Sequence, residues 1–229
     1  MNNAFSEVFS SQTIGFSSIL TVVVSMLFAL PQTIVKEEKQ LKCAYLYAVA
    51  TKKDRQGEGL CSALLAYAEK ELRKRYFEAL LLSPASERLA DFYAERGFTR
   101  QTGAKKTLLD CAQPTGQATE IGVQDYAGLR ETALWDIPHV RYDKAQLEYA
   151  MAGGKFYCLM AGYAMGCAAV KDGKDGVQAV VCELLPGTEG LGALAEKRGA
   201  GKYEVVSSLP GEDGETWCML KWLGKAYPE

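Results

Sequence analysis

Apolar and polar positions change period several times along the chain, and each change marks an element. From Val8 to Val35 there is no charged residue, and within that stretch Thr21-Val22-Val23-Val24 is a β-branched cluster whose stiff side chains favour extended backbone. Ser17, Ser18, Thr21 and Ser25 interrupt the apolar run and Pro31 closes it, so the stretch predicts buried strands rather than a membrane-spanning helix. Met1 to Phe9 carries Glu7 and no Lys or Arg, which argues against a secretory leader. After the polar turn Lys36 to Gln40, the apolar and aromatic run Leu41 to Thr51 reads as a strand, and the charged segment Lys52 to Gly57 as a loop. Between Gly59 and Arg75 the residues Leu60, Ala63, Leu64, Tyr67, Ala68 and Leu72 fall at helical spacing, with Glu69, Lys70, Arg73 and Lys74 on the opposite face. The basic cluster Lys70, Arg73, Lys74 and Arg75 is the solvated face and end of that helix. Phe77 to Leu82 suits a buried strand, Ser86 stands where a helix reaching Arg96 needs its N-cap, Gly97 stops that helix, and Phe98 opens a further extended stretch. The order strand, helix, strand, helix, strand predicts an α/β domain with a right-handed crossover.

Cys111 to Gln117 is polar and carries Pro and Gly, which predicts a linker dividing a domain at 1–110 from a second at 118–229. In the second, Gln124 to Trp135 and Asp143 to Met151 read as helices, the latter ended by Gly153-Gly154. Lys155 to Ala161, Tyr163 to Val170 and Val177 to Leu185 read as strands, with a hairpin turn at Lys171 to Gly176. Thr188 to Arg198 is a short helix, and Tyr203 to Leu209 and Thr216 to Leu223 are two closing strands.

Composition removes several functions. The 229 residues are 48% apolar and 24% charged, the profile of an ordinary soluble globular protein. Lys plus Arg number 26 against 28 Asp plus Glu, so there is no positive surplus for a nucleic-acid backbone, and no nucleic-acid partner is expected. Seven cysteines form no CxxC pair and Cys43, Cys158, Cys167, Cys182 and Cys218 lie in apolar runs, which fits a reducing, cytoplasmic compartment. With His139 the one histidine, no metal site is expected.

The candidate chemistry lies in Val49 to Leu65, which reads strand, glycine-bearing loop, helix start. Backbone amides at a helix start point outward with the positive end of the macrodipole behind them, which suits an anion such as a pyrophosphate. Gly57 and Gly59 let a phosphate approach the main chain; a plain glycine turn before a helix is the competing reading. This segment resembles the GNAT superfamily of acyl-CoA-dependent N-acyltransferases, whose cofactor loop follows Gln/Arg-x-x-Gly-x-Gly/Ala. The match is Gln56-x-x-Gly59-x-Cys61, continued by Ser62-Ala63-Leu64-Leu65, with Cys61 where Gly or Ala is usual. A second stretch resembles the family's Tyr-x-x-x-Gly-Phe: Tyr93-Ala94-Glu95-Arg96-Gly97-Phe98, preceded by Ser86 and Leu89 in place of an Asn-x-x-Ala. The resemblance covers about residues 41 to 100.

The resemblance implies an α/β fold with a mixed sheet and an acetyl-CoA-dependent N-acetyltransferase acting on a primary amine, either a small molecule or a peptide. It implies that the main chain of Val49 and Ala50 pairs with the pantetheine arm, that the amides of Gln56, Gly57, Glu58, Gly59, Leu60, Cys61 and Ser62 hold the pyrophosphate, and that Tyr93 is the general acid for the departing thiolate. The plainer reading of Tyr93 is a core tyrosine. No carboxylate stands on Cys43 to Val49, so no base is named, and Glu183 and Glu229 are the remaining candidates, each also readable as structural or solvated. A non-catalytic acyl-CoA-binding or regulatory module is the alternative. The second unit also resembles a GNAT fold, but Glu183 to Gly192 lacks the cofactor pattern and Glu189 would repel a pyrophosphate; it is read as a degenerate copy that covers the acceptor side or takes part in a homodimer. About 18 residues precede the first apolar strand, so the family's N-terminal helices are expected in shortened form. His139, beside Pro138, reads as a surface or capping residue or as a base, and Trp135 and Tyr142 as core packing or as an aromatic acceptor pocket.

Overall fold

The computed structural model describes residues 5–10, 13–20, 22–36, 38–111, 113–207 and 215–224. Glu229, one of the candidate bases, lies outside the described residues, as do Met1 and Ala112 of the expected linker. In chain order the elements are β1 (Phe5–Ser10), β2 (Thr13–Leu20), β3 (Val22–Lys36), β4 (Lys39–Thr51), α1 (Leu60–Lys74), β5 (Ala79–Leu82), α2 (Glu87–Ala94), β6 (Thr99–Cys111), β7 (Gln117–Ile121), α3 (Val123–Ala133), β8 (His139–Arg141), α4 (Lys144–Ala150), β9 (Lys155–Ala161), β10 (Ala164–Asp172), β11 (Val177–Leu185), α5 (Leu191–Arg198), β12 (Gly201–Ser207) and β13 (Glu215–Trp222). Among the described residues no helix is long and apolar enough to cross a membrane.

The chain forms two compact units. The first takes the residues up to Gln101 and those from Thr216; the second takes Thr102 to Glu215. In the first, β1, β2, β3 and β4 run antiparallel in sequence, β4 pairs parallel with β5, and β13 closes antiparallel onto β5 with Met219 opposite Leu82. The described residues of the β-branched and apolar run are strand, and α1 provides the crossover between the parallel strands β4 and β5. Leu64, Leu65, Ala68 and Leu72 recur on one face of α1 and are buried, while Arg73 and Lys74 pair in solvent with Glu69 and Glu71. Their core partners are Leu27 and Ala29 of β3, Ala44 and Leu46 of β4, Leu80 and Leu82 of β5, Ala90 and Tyr93 of α2, Phe98, and Met219 and Leu223. Ser86 caps α2 by accepting from the Leu89 amide at 3.3 Å, and Gly97 ends the turn beyond it at φ +82°.

The second unit has the sheet order β6, β12, β11, β10, β9, β7. Here β11 and β12 are the parallel pair, bridged by α5, and the remaining pairings are antiparallel. Tyr203, Val170, Leu159 and Leu194 are fully buried in its core, and a second cluster packs Tyr126, Leu147 and Met151 against Phe156.

Two features depart from the sequence reading. The stretch expected as a linker joins two strands of the second unit, with Cys111 ending β6, Gln117 beginning β7 and residues 113–116 a short connection, and the first unit ends at Gln101 instead. The last strand, expected to finish the second unit, belongs to the first, because its apolar residues Met219 and Leu223 lie in that core.

Candidate functional site

β4 carries the feature that organises the site. Its ladder with β3 shifts register between Met26 and Phe28, leaving one residue too many on β4, and Ala48 there sits at φ +50°. A left-handed alanine costs about 1–2 kcal/mol, so the bulge is held against local preference. On the other side, β4 and β5 pair from Cys43 opposite Ala79 to Tyr45 opposite Leu81, and β4 then runs on to Thr51 past the end of that ladder. Val49 packs inward on the α1 core while Tyr47, Ala48 and Ala50 are exposed. The main chain of Val49 and Ala50 therefore lies beyond the parallel ladder, where an extended ligand can add as a strand.

From Thr51 the chain makes a single 3-10 turn at Lys53–Arg55 and enters α1 through Gly57 at φ +84° and Gly59 at φ +77°. Both values belong to the left-handed region that glycine adopts without strain, and a Cβ built at either residue would meet nothing within 4 Å. The approach to the helix start is therefore open. Gly59 is the N-cap and supplies no side-chain cap, and the first turn of α1, Leu60, Cys61 and Ser62, contains no acidic residue. Glu58 is the carboxylate nearest in sequence, and it is neutralised: Arg55 donates to it twice, at 2.6 and 2.7 Å, which holds its carboxyl below the usual range. The Gln56 amide is turned back on the loop, donating to the Thr51 carbonyl at 3.3 Å. These residues fit a bound pyrophosphate: open main chain, free helix dipole and no uncompensated negative charge.

Tyr93 lies one helix away, 6% exposed, in edge-to-face contact with Phe92 and Phe98. Burial, reinforced by the Cys61 thiol and Tyr45 and opposed by Arg96, pushes its phenol up to about 12. Tyr93, Cys61 of α1 and Leu46 of β4 belong to one packed cluster, so Tyr93 shares a core with the two elements that carry the expected cofactor contacts. The same burial raises the Cys61 thiol, which makes it a poor nucleophile.

Arg96 is the residue that sequence reasoning left unassigned. It stands at an unspecified position of the Tyr-x-x-x-Gly-Phe stretch, and its reach onto α1 is a tertiary contact with no local signal. Its guanidinium donates to Ser62 Oγ from Nε at 3.0 Å and from Nη2 at 2.8 Å.

The second-unit candidates sit elsewhere. Glu183, on β11, accepts from the Tyr126 hydroxyl and, at 2.9 Å, from Arg130 Nε. Burial opposes the Arg130 charge, and the Glu183 carboxylate more than offsets it. His139 is in β8 rather than a loop, its side chain buried between the Ile137 carbonyl at 2.7 Å and Glu131 at 3.2 Å. Trp135 is 67% exposed and is not core packing, and Tyr142 stacks under Arg130 at 5.0 Å. The loop before α5 is filled where its counterpart before α1 is open. A Cβ at Gly187 would meet Glu189 Oε2 at 2.6 Å, and one at the N-cap Gly190 would meet Leu159 Cδ1 at 2.7 Å. Among the described residues no group of His, Cys, Asp or Glu is arranged to hold a metal ion.

The bulged strand β4 runs past its parallel ladder toward a helix start without a side-chain cap, and the fold is that of solved N-acyltransferase structures. The comparisons with known proteins agree. Residues 9–100 match the family described as acetyltransferase (GNAT) domain. Among solved structures, the chain is similar to a probable N-acyltransferase of unknown function from Enterococcus faecalis V583, with a TM-score of 0.73, 14% identity, and coverage of 93% of this chain and 63% of that one. A GCN5-related N-acetyltransferase from Kribbella flavida gives a TM-score of 0.69 at 17% identity, covering 93% and 60%. A tandem GNAT protein from the clavulanic acid biosynthesis pathway gives 0.51 at 16% identity, covering 94% and 84%. The chain therefore spans less than two thirds of the length of the first two. No curated protein matches the chain by sequence.

Proposed function

We propose that the protein is an acetyl-CoA-dependent N-acetyltransferase whose first unit binds the cofactor and transfers its acetyl group to a primary amine. The observation that carries this is the open, uncapped start of α1 beside the bulged end of β4. Acetyl-CoA supplies the activated thioester when bound. The amides of Gln56 through Ser62 then hold its pyrophosphate, and the main chain of Val49 and Ala50 pairs with its pantetheine arm. Tyr93 keeps its proton at neutral pH, since its phenol is pushed up to about 12, and donates it to the departing thiolate. Of the two candidate bases, Glu183 is engaged by Tyr126 and Arg130 and Glu229 lies outside the described residues, so in this reading the attacking amine loses its proton to water or arrives neutral.

That no unengaged base is assigned among the described residues favours one second reading, a module that binds acyl-CoA without turnover. Calorimetric titration with acetyl-CoA, followed by a thiol-release assay over a panel of amines, separates the two. Binding with amine-dependent release supports the transferase; binding without release supports the module; no binding overturns both.

A further inference from the structure

Arg96 follows α2 and reaches back to the first turn of α1. Besides its two bonds to Ser62 Oγ, its Nη1 donates to the Phe92 carbonyl at 2.5 Å, and its guanidinium carbon lies 3.5 Å from the Phe92 ring centroid. Glu95, mostly exposed, is 3.5 Å from Nη1. The guanidinium is thus fixed in plane by carbonyl, ring and hydroxyl together.

The consequence for Ser62 is chemical. Two N–H donors of one guanidinium reach the Ser62 oxygen from the same side, so they fix that oxygen and direct the hydroxyl proton away from the arginine. Ser62 is the third residue of α1, on the turn whose amides are uncapped. A tie between two helices needs neither two bonds to one oxygen nor a full positive charge at the end where the macrodipole is already positive.

We propose that Arg96 is a positioning residue for the cofactor diphosphate. It holds the Ser62 hydroxyl as a donor toward the phosphates and adds charge at the start of α1. This rests on the acyl-CoA reading of the site.

The test compares ligands with and without the diphosphate on the full-length chain. Arg96→Ala weakens calorimetric binding of CoA about 10- to 100-fold, the range for losing a charged hydrogen-bonding group, and leaves kcat/KM on S-acetylpantetheine within about twofold. Arg96→Lys, which keeps the charge and loses the fork, falls between, and Ser62→Ala also weakens CoA binding. Unchanged CoA affinity in Arg96→Ala, or equal losses on acetyl-CoA and S-acetylpantetheine, overturns the proposal. Should Arg96→Ala fail to fold by circular dichroism, Ser62→Ala and Arg96→Lys decide the same question. A wild-type chain that binds no CoA overturns the acyl-CoA reading and this proposal together, and is told apart because the parent protein itself fails.

Discussion

Single residues decide the chemistry here through burial and backbone conformation. Tyr93 is legible in the sequence from its place before Gly97-Phe98, but its usefulness as an acid depends on burial against Phe92, Phe98 and Cys61, which no spacing reveals. Tyr93→Phe is expected to lower kcat by about 100-fold or more with acetyl-CoA affinity unchanged, as loss of a general acid requires, measured by steady-state kinetics beside calorimetry. An unaltered rate would remove Tyr93 from the mechanism. The sign of its pH dependence follows from the raised phenol. Burial of the neutral ring stabilises the fold fully below the ordinary tyrosine value of 10.0, and that contribution is lost as pH rises toward about 12. Tyr93→Phe is therefore expected to flatten the loss of stability between those two values in alkaline denaturation, and a parallel loss in both proteins would contradict it. Gly59 is the second such residue. At φ +77° with open space beyond its missing Cβ, Gly59→Glu strains the cap and points a carboxylate toward the uncapped amides, so acetyl-CoA binding is expected to vanish in a titration. Retained affinity would mean that the anion site lies elsewhere.

At the scale of elements, periodicity worked where one face of a helix or strand is buried and failed where it is not. α1 and α2 are recognisable from apolar spacing and from Ser86 and Gly97, because each buries one stripe and ends on residues with specific backbone needs. β7 is not, since it is five residues long with one buried position. His139 shows the same limit: a histidine beside a proline reads as a loop, whereas it lies in the strand β8 with its ring against the Ile137 carbonyl and Glu131. The helix α3 is anchored by a polar cluster as well as by its apolar face around Tyr126, with Arg130 only 6% exposed and bonded to Glu183 on β11. Removing one partner leaves a buried charge unpaired, so Glu183→Ala is expected to cost about 3–5 kcal/mol in urea denaturation. A loss below about 1 kcal/mol, the scale of an exposed pair, would show that Arg130 reaches solvent.

For the molecule as a whole, the chain leaves its first unit after Gln101, builds the second, and returns with β13. The first core is incomplete without that return. Met219 and Leu223 are buried among Leu82, Tyr93 and Phe98, and Met219 to Trp222 pair with β5. A chain ending before residue 216 is accordingly expected to lose protection of residues 5–101 in limited proteolysis, and with it acetyl-CoA binding. Unchanged protease resistance would show that the first unit folds without its last strand. The two units repeat one scheme, a parallel pair bridged by a helix beyond a register shift, yet only the first has an open helix start among the described residues.

What the sequence by itself determined was local: the strands and helices whose burial imposes a period, the turns that need glycine, and the two motifs that resemble GNAT proteins. Those are properties of neighbours along the chain, and neighbours are what a sequence displays. The tertiary structure alone decided which strand closes which sheet, that the Glu183 carboxylate is bound by Tyr126 and Arg130, that Ala48 is held in a left-handed bulge, and that Arg96 grips Ser62 across 34 residues. Each of these joins groups far apart in sequence, and only packing, which sets distance and excludes water, brings their charges and hydroxyls within bonding range.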